Sequence, residues 1–193
     1  MGLRIIAGTA RGRRLFTPPT AGGRPSIRPT ADRAREALFN ILGPLVLQAR
    51  GLDLFAGTGA LGLEALSRGA ESVLLVDEQV MALELIRRNI AACGFTAQAR
   101  IVRRDLRKGL GFLTALAPAA GFSLIFVDPP YDQGLGELVL RALPATNSLA
   151  AGAIVVVEDR AGATLPTTVD ELRLYDQRRY GDTGFWLYQL TEP

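Results

Sequence analysis

The chain of 193 residues contains no histidine and only one cysteine, Cys93. Without histidine, the protein cannot use a histidine general base, a Ser-His-Asp triad or the common histidine-containing metal sites. A single cysteine excludes an intramolecular disulfide and any cysteine-cluster zinc site. We therefore expect no metal centre, and any enzymatic chemistry must rely on carboxylates, backbone groups and a bound cofactor.

Long apolar runs are also missing from the sequence. No apolar stretch reaches the roughly 18 residues that a membrane span requires, and the N-terminus lacks the apolar core of a secretion signal. Hydrophobic residues make up 48% of the chain and charged residues 21%, which is ordinary for a globular protein with a full core. We therefore expect a cytoplasmic protein without a membrane partner.

Acidic residues are scarce near the N-terminus. Residues 1–36 contain eight arginines and two acids, a net charge of +6, whereas the remainder of the chain has a net charge of −3. A basic arm on a mildly acidic body predicts a polyanionic partner, of which nucleic acid is the common case. The alternative is a solvated, arginine-rich surface. The residues that we expect to contact phosphates are Arg11, Arg13, Arg14, Arg28 and Arg33.

The N-terminal region predicts a small basic β-hairpin. Residues 4–8 and 13–17 resemble two short strands around a turn, and residues 18–29, rich in proline and glycine, resemble a loop. Apolar spacing then predicts a helix over 31–42, capped by Thr30, on which Arg33 and Arg35 could instead pair with neighbouring acids. We predict two units, a basic arm over 1–29 and a main domain over 30–193.

The main domain alternates between strand and helix patterns, which predicts an α/β fold with a doubly wound, mostly parallel sheet. After Pro166, the pattern changes to two strands joined by a glycine-containing turn, which predicts an antiparallel C-terminal hairpin. The predicted strands are 52–55, 72–76, 99–103, 122–127, 153–157, 171–180 and 184–190, and the predicted helices include 60–68, 78–93 and 106–116.

The most informative motif follows the predicted strand 122–127 and consists of Asp128, Pro129, Pro130 and Tyr131. Two prolines end the strand and stiffen the exit loop, at the sheet edge where open α/β folds bind ligands. Asp128 and the Pro129 carbonyl can accept two N–H bonds from a planar amine, and Tyr131 can stack on its ring. The motif therefore predicts amine chemistry, although a plain strand-to-loop turn would use similar residues.

A second motif, Asp53 to Gly59, lies where the first strand of the main domain meets its helix. Its glycines allow a tight turn and close approach to a ligand, and continued to Gly62 it also matches the dinucleotide fingerprint. Asp53 favours S-adenosylmethionine over a nicotinamide cofactor, because a carboxylate there can meet the ammonium of a methionine group but repels a pyrophosphate. Asp77 could accept hydrogen bonds from both ribose hydroxyls. Asp105 could accept one from the adenine amine, or could instead cap the helix that follows.

These motifs define a candidate site. The predicted catalytic residues are Asp128, Pro129, Pro130 and Tyr131. The predicted cofactor-binding residues are Asp53, Phe55, Ala56, Gly57, Thr58, Gly59, Asp77, Glu78, Asp105, Leu106 and Asp128.

Taken together, the chain resembles the Rossmann-like class I methyltransferases, and more narrowly the bacterial 16S ribosomal RNA guanine-N2 methyltransferase family. The resemblance covers nearly the whole chain and rests on the blocks 4–8, 11–15, 28–40, 53–68 and 127–131. It implies a seven-stranded sheet whose last strand is antiparallel, with S-adenosyl-L-methionine as the cofactor. It also implies methylation of a guanine N2 amine in 16S ribosomal RNA, either naked or within an assembling small-subunit particle. We expect a monomer.

Three other functions remain open from the residues alone. The Asp128–Tyr131 motif also occurs in methyltransferases that act on DNA adenine or on protein amides. A nicotinamide-dependent reductase could use Gly57 to Gly62, and a non-catalytic RNA-binding protein could retain the fold. Asp53 argues against the reductase, and the three carboxylates Asp53, Asp77 and Asp128 argue against the non-catalytic protein.

Overall fold

The computed structural model describes residues 2–19 and 29–191. Its helices are α1 Pro29–Leu42, α2 Ala60–Ser67, α3 Val80–Cys93, α4 Leu113–Leu116 and α5 Leu135–Ala142. Its strands are β1 Arg50–Leu54, β2 Ser72–Asp77, β3 Ala99–Arg103, β4 Phe122–Val127, β5 Leu149–Arg160, β6 Thr168–Val169, β7 Leu172–Tyr180 and β8 Thr183–Leu190. None of the helices in these residues is long and apolar enough to cross a membrane.

The strands form one sheet in the order β3-β2-β1-β4-β5-β8-β7-β6. The first five strands are parallel, β8 pairs antiparallel with β5, and β7 pairs antiparallel with β8. The predicted doubly wound sheet with an antiparallel C-terminal hairpin is therefore confirmed. The short β6 at the far edge makes the sheet eight-stranded, one strand more than expected.

One predicted helix is wrong. In place of a continuous helix over 106–116, the chain forms a 3-10 turn at Leu106–Lys108 and the four-residue α4. Gly109 separates them with φ of +102°, a backbone conformation that no α-helix contains. The glycines at 109 and 111 indicate this break in the sequence, but the helical spacing of the apolar residues led to the prediction of a continuous helix.

Each face of the sheet carries its own apolar core. The face of α1, α2 and α3 buries residues such as Leu38, Phe39 and Phe126, and the opposite face buries Trp186 and Tyr188 against α5. Because side chains alternate along a strand, successive residues of β4 and β5 supply opposite cores. The sheet is thus covered on both faces, and its carboxyl edge is left for ligands.

The N-terminal arm packs on the first of these cores. Arg4 and Arg14 form one antiparallel bridge, and Ile5 N–H donates to the Arg13 carbonyl at 3.0 Å, so the predicted hairpin is represented by a bridge rather than by regular strands. Ile5 and Leu15 are buried in the core of the main domain. How the chain divides into domains stays a prediction.

Buried polar groups of α2 hold the arm in place. The Glu64 carboxylate is fully buried and accepts the N–H groups of Ile6 and Ala7 at 2.7 and 3.0 Å. Ser67 accepts the Ala10 N–H at 3.0 Å. At Gly8, an added Cβ would come within 1.7 Å of the Ser67 carbonyl oxygen, so the arm can lie this close to α2 only with glycine there.

Candidate active site

The carboxyl ends of the parallel strands meet at one edge of the sheet. Leu54 is in register with Val76 and Val127, and Val127 is in register with Val157. The residues that follow these positions therefore lie side by side: Phe55, Asp77, Asp128 and Glu158. Ligands of open α/β sheets bind at this edge.

The glycine turn between β1 and α2 is closed by a carboxylate. Phe55, Gly57 and Gly59 all have positive φ, of 65°, 57° and 79°. The Asp77 carboxylate accepts the Gly57 N–H at 2.9 Å and the Gln79 N–H, also at 2.9 Å. Asp77 thus fixes the turn from the end of the neighbouring strand while its side chain still faces the cavity described below.

Asp53 is buried beneath the same turn. It is 1% exposed, and its Oδ2 accepts the Gly62 N–H at 2.9 Å. Burial raises the pKa of Asp53 to about 7; the Gly62 hydrogen bond opposes the shift and the charge of Asp77 adds to it. An added Cβ at Gly62 would lie 3.0 Å from this oxygen and 2.9 Å from Val73 Cγ1, so α2 can approach the strands only with glycine there.

A cavity of about 480 Å³ opens along this edge, a size typical of small-molecule sites. Within the described residues, it brings together most of the predicted site: Phe55, Gly57, Thr58, Asp77, Glu78, Asp105, Leu106, Asp128, Pro129 and Pro130. Four predicted residues do not line it, namely Asp53, Ala56, Gly59 and Tyr131. Their roles toward a ligand stay predictions, as does the contact of Asp53 with an ammonium.

Asp105 caps the 3-10 turn that follows β3. Its Oδ1 accepts the Arg107 N–H at 3.1 Å and the Arg107 Nε–H at 2.8 Å, and these contacts hold the pKa of Asp105 below its usual value. Arg107 also pairs with Glu78 at 2.6 Å. The capping alternative is therefore present in the structure. Because Asp105 also lines the cavity, a contact with adenine stays a prediction.

The predicted catalytic motif leaves β4 at the centre of the edge. The Asp128 N–H donates to the Leu54 carbonyl at 3.3 Å, which ties the exit loop to β1. Burial, together with the charges of Glu158, Asp53 and Asp159, raises the pKa of Asp128 well above its usual value. Such a perturbed carboxyl in a cavity is typical of functional sites.

Tyr131 is held by two residues that the sequence did not suggest. Its hydroxyl donates to Glu158 Oε1 at 2.9 Å and lies 3.3 Å from Thr183 Oγ1. Burial is the main cause that raises the pKa values of both Tyr131 and Glu158. Glu158 could have been found, because it follows the apolar run of β5 as Asp128 follows that of β4.

Arg35 on α1 connects this cluster to the arm. It is 7% exposed, donates to the Arg4 carbonyl at 2.6 Å, and pairs with Asp32 at 3.1 Å. Its charge lowers the pKa of Glu158, which burial raises. The alternative in which Arg35 pairs with a neighbouring acid is thus present in the structure.

Asn89 of α3 joins the arm to the glycine turn. Its Oδ1 accepts the Phe16 N–H at 2.6 Å, and its Nδ2 donates to the Phe16 and Thr58 carbonyls at 3.0 and 2.8 Å. Pro18, two residues after Phe16 in the arm, lines the cavity. A fully buried Asn on a helix gave no signal in the sequence, because only the folded chain brings Phe16 and Thr58 to it.

The arginines predicted to contact phosphates divide into three cases. Arg11, Arg13 and Arg14 are exposed on the turn of the arm, and no carboxylate of the described residues lies within ion-pair distance of them. Arg33 is exposed on α1. Arg28 lies outside the described residues. No cluster of three or more potential metal ligands occurs in the part of the chain that the structure describes.

Comparison with known proteins identifies the family. The family model described as conserved hypothetical protein 95 matches residues 3–189. The chain belongs to this family. Escherichia coli (strain K12) ribosomal RNA small subunit methyltransferase D is 37% identical over 187 residues, which are 97% of this chain and 89% of that relative. YlbH of Bacillus subtilis (strain 168) is 36% identical over 187 residues, which are 97% of this chain and 98% of that relative.

A solved structure supports the same assignment. The Escherichia coli protein yhhF superposes with a TM-score of 0.82 at 36% identity, covering 99% of each chain. The similarity therefore extends over the arm, the cavity and the C-terminal hairpin alike.

Proposed function

We propose that this protein is a methyltransferase that transfers the methyl group of S-adenosyl-L-methionine to the exocyclic N2 amine of a guanine in 16S ribosomal RNA. The observation that carries the proposal is the shared cavity, which is lined both by Asp128 and Pro129 and by Asp77 and the glycine turn. A cofactor held by the turn would thus lie beside an amine held by Asp128. The relative named ribosomal RNA small subunit methyltransferase D supports ribosomal RNA as the acceptor.

The residues present fit S-adenosylmethionine. Asp77 faces the cavity as an acceptor for ribose hydroxyls, and Phe55, Met81 and Leu106 supply apolar surface for an adenine ring. When bound, the cofactor supplies a methyl group already activated on a sulfonium. The protein must then mainly hold the acceptor nitrogen in line with that methyl carbon.

Asp128 and the Pro129 carbonyl are the groups proposed to hold the amine. A target base that leaves its stack can place its amine between these two acceptors, which direct the nitrogen lone pair toward the methyl carbon. The amine becomes cationic as the new C–N bond forms, and it then loses a proton readily. No strong base is needed before transfer, which fits a chain without histidine.

The exposed arginines of the arm are the proposed contacts to the RNA backbone. Arg11, Arg13 and Arg14 lie on the turn of an arm that then passes Asn89 to reach the rim of the cavity at Pro18. Phosphates bound at this turn would hold the RNA against the same face of the protein from which the arm reaches the site.

The test is a methyl-transfer assay with labelled S-adenosylmethionine on small-subunit particles that lack the modification, on naked 16S ribosomal RNA and on duplex DNA. We expect transfer to a ribosomal substrate and none to DNA, and we expect N2-methylguanosine after nuclease digestion and mass spectrometry. Methylated adenine in DNA would establish the alternative amino-methyltransferase. Calorimetric binding of NADH without binding of S-adenosylmethionine would overturn the cofactor.

A further inference from the structure

Two carboxyl groups lie side by side at the sheet edge, at the predicted catalytic motif: Asp128 follows β4, and Glu158 lies near the end of β5. Val127 of β4 is in register with Val157 of β5, so Asp128 and Glu158 are adjacent residues on strands about 4.8 Å apart. Both share the strand face of Phe126 and Val156, which belong to a single core cluster. Their carboxyl groups therefore project toward the same side of the sheet.

These carboxyls retain unused acceptor capacity. Glu158 Oε1 accepts the Tyr131 hydroxyl, but no described residue donates a hydrogen bond to Glu158 Oε2 or to the Asp128 carboxyl. Both residues are half-buried at this edge, and a partly desolvated carboxylate is stabilised by hydrogen-bond donors. Burial and, after it, the charge of Glu158 raise the pKa of Asp128. A ligand rich in donors would supply what the protein lacks.

The donor pattern of the ligand can be deduced from this arrangement. Guanine presents its N1–H and its N2 amine side by side, so two neighbouring carboxyls can each accept from one of them. Adenine and cytosine present an amine beside a bare ring nitrogen, whose lone pair would face a carboxylate. An unmatched pair of buried acceptors is unfavourable.

We infer that Glu158 is a specificity-determining residue, whose Oε2 accepts the N1–H of the target guanine while Asp128 accepts from the N2 amine. This inference rests on the proposed function and names the base edge that the site reads. The Tyr131 hydroxyl occupies Oε1 and so leaves Oε2 for the base.

The test compares Glu158→Gln with wild type on small-subunit particles that carry either guanine or adenine at the target position. The variant amide can donate to adenine N1, which a carboxylate cannot. We expect kcat/KM for guanine to fall by about tenfold to hundredfold, as expected when a matched hydrogen bond to a base is removed, and the preference for guanine over adenine to fall as well. Glu137→Gln, an exposed glutamate that pairs with Arg141, should match wild type.

Two further variants separate base reading from support of Tyr131. Tyr131→Phe removes the hydroxyl that contacts Glu158 and should lower the rate without changing the guanine preference. Glu158→Asp keeps a carboxylate but withdraws it by one methylene, so it should lower the rate and keep the preference. If Glu158→Gln retains the full preference, or if Tyr131→Phe changes the preference equally, the inference is wrong. Failure of wild type to methylate guanine would instead overturn the proposed function.

Discussion

The carboxyl groups of β1 and β2, on the proposed cofactor side of the sheet edge, are held differently from those at β4 and β5, on the proposed acceptor side. On the cofactor side, Asp53 and Asp77 each accept a backbone N–H of the glycine turn or of α2. On the acceptor side, Asp128 and Glu158 have no backbone donor among the described residues, and burial together with the charge of Glu158 raises the pKa of Asp128. The first pair stabilises the glycine turn and the start of α2, whereas the second pair, in our proposal, accepts hydrogen bonds from the target base.

The largest expected effect is on the cofactor side: the free energy of unfolding of wild type should depend on pH in a way that the Asp53→Asn variant does not. Folding raises the Asp53 pKa from 3.8 to about 7. The folded state therefore binds the proton more tightly, and the resulting stability is complete below about pH 4 and is lost as pH rises through about 7. The difference between wild type and Asp53→Asn should change by about 4 kcal/mol over this range.

Denaturant unfolding at a series of pH values measures this difference. The asparagine carbonyl can still accept the Gly62 N–H, so the variant should fold. Curves for the two proteins that run parallel from pH 4 to 8 would show that Asp53 is not perturbed by burial.

The next effect concerns catalysis on the acceptor side. Asp128→Ala should lower the methyl-transfer rate by at least about a hundredfold, about 2.7 kcal/mol, because an N–H donor of the amine is left without its acceptor. Calorimetry should show nearly unchanged affinity for S-adenosylmethionine. Asp132→Ala is the control, since this nearby exposed aspartate pairs with Arg160. Near-normal activity of Asp128→Ala would remove this carboxylate from the mechanism.

A smaller effect is expected from crowding the cofactor side. Gly62→Ala places a methyl group 2.9 Å from Val73 Cγ1 and 3.0 Å from Asp53 Oδ2, so α2 must shift. We expect a decrease of about 1–3 kcal/mol in the free energy of unfolding. Gly111→Ala meets no atom within 4 Å and should be neutral. Equal stability of the two variants would show that α2 can move away from the strands without cost.

Strand periodicity determined which of these polar residues could be predicted from the sequence. Acids at the ends of apolar strands were recognised at Asp53, Asp77, Asp105 and Asp128, because strand periodicity places such residues at one edge. Glu158 carries the same signal and was missed. Glu64 and Asn89 could not be assigned, since the backbone groups that they bind lie more than 30 residues away in the sequence. The helix predicted over 106–116 was wrong because apolar spacing outweighed two glycines.

The smallest expected effect concerns RNA binding by the N-terminal arm, and it should leave the methyl-transfer reaction itself unchanged. Changing Arg11, Arg13 and Arg14 to Gln should reduce the salt dependence of RNA binding by about 0.9 in log–log slope for each duplex phosphate that the arm no longer binds, and by less for single strands. The matched control changes Arg141 of α5 and Arg173 and Arg178 of β7 to Gln. Filter binding across salt concentrations measures both slopes. Because phosphate contacts position the RNA rather than read it, the arm variant should still produce the same methylated nucleoside. An unchanged slope in the arm variant, or an equal change in the control, would show that these arginines do not contact RNA.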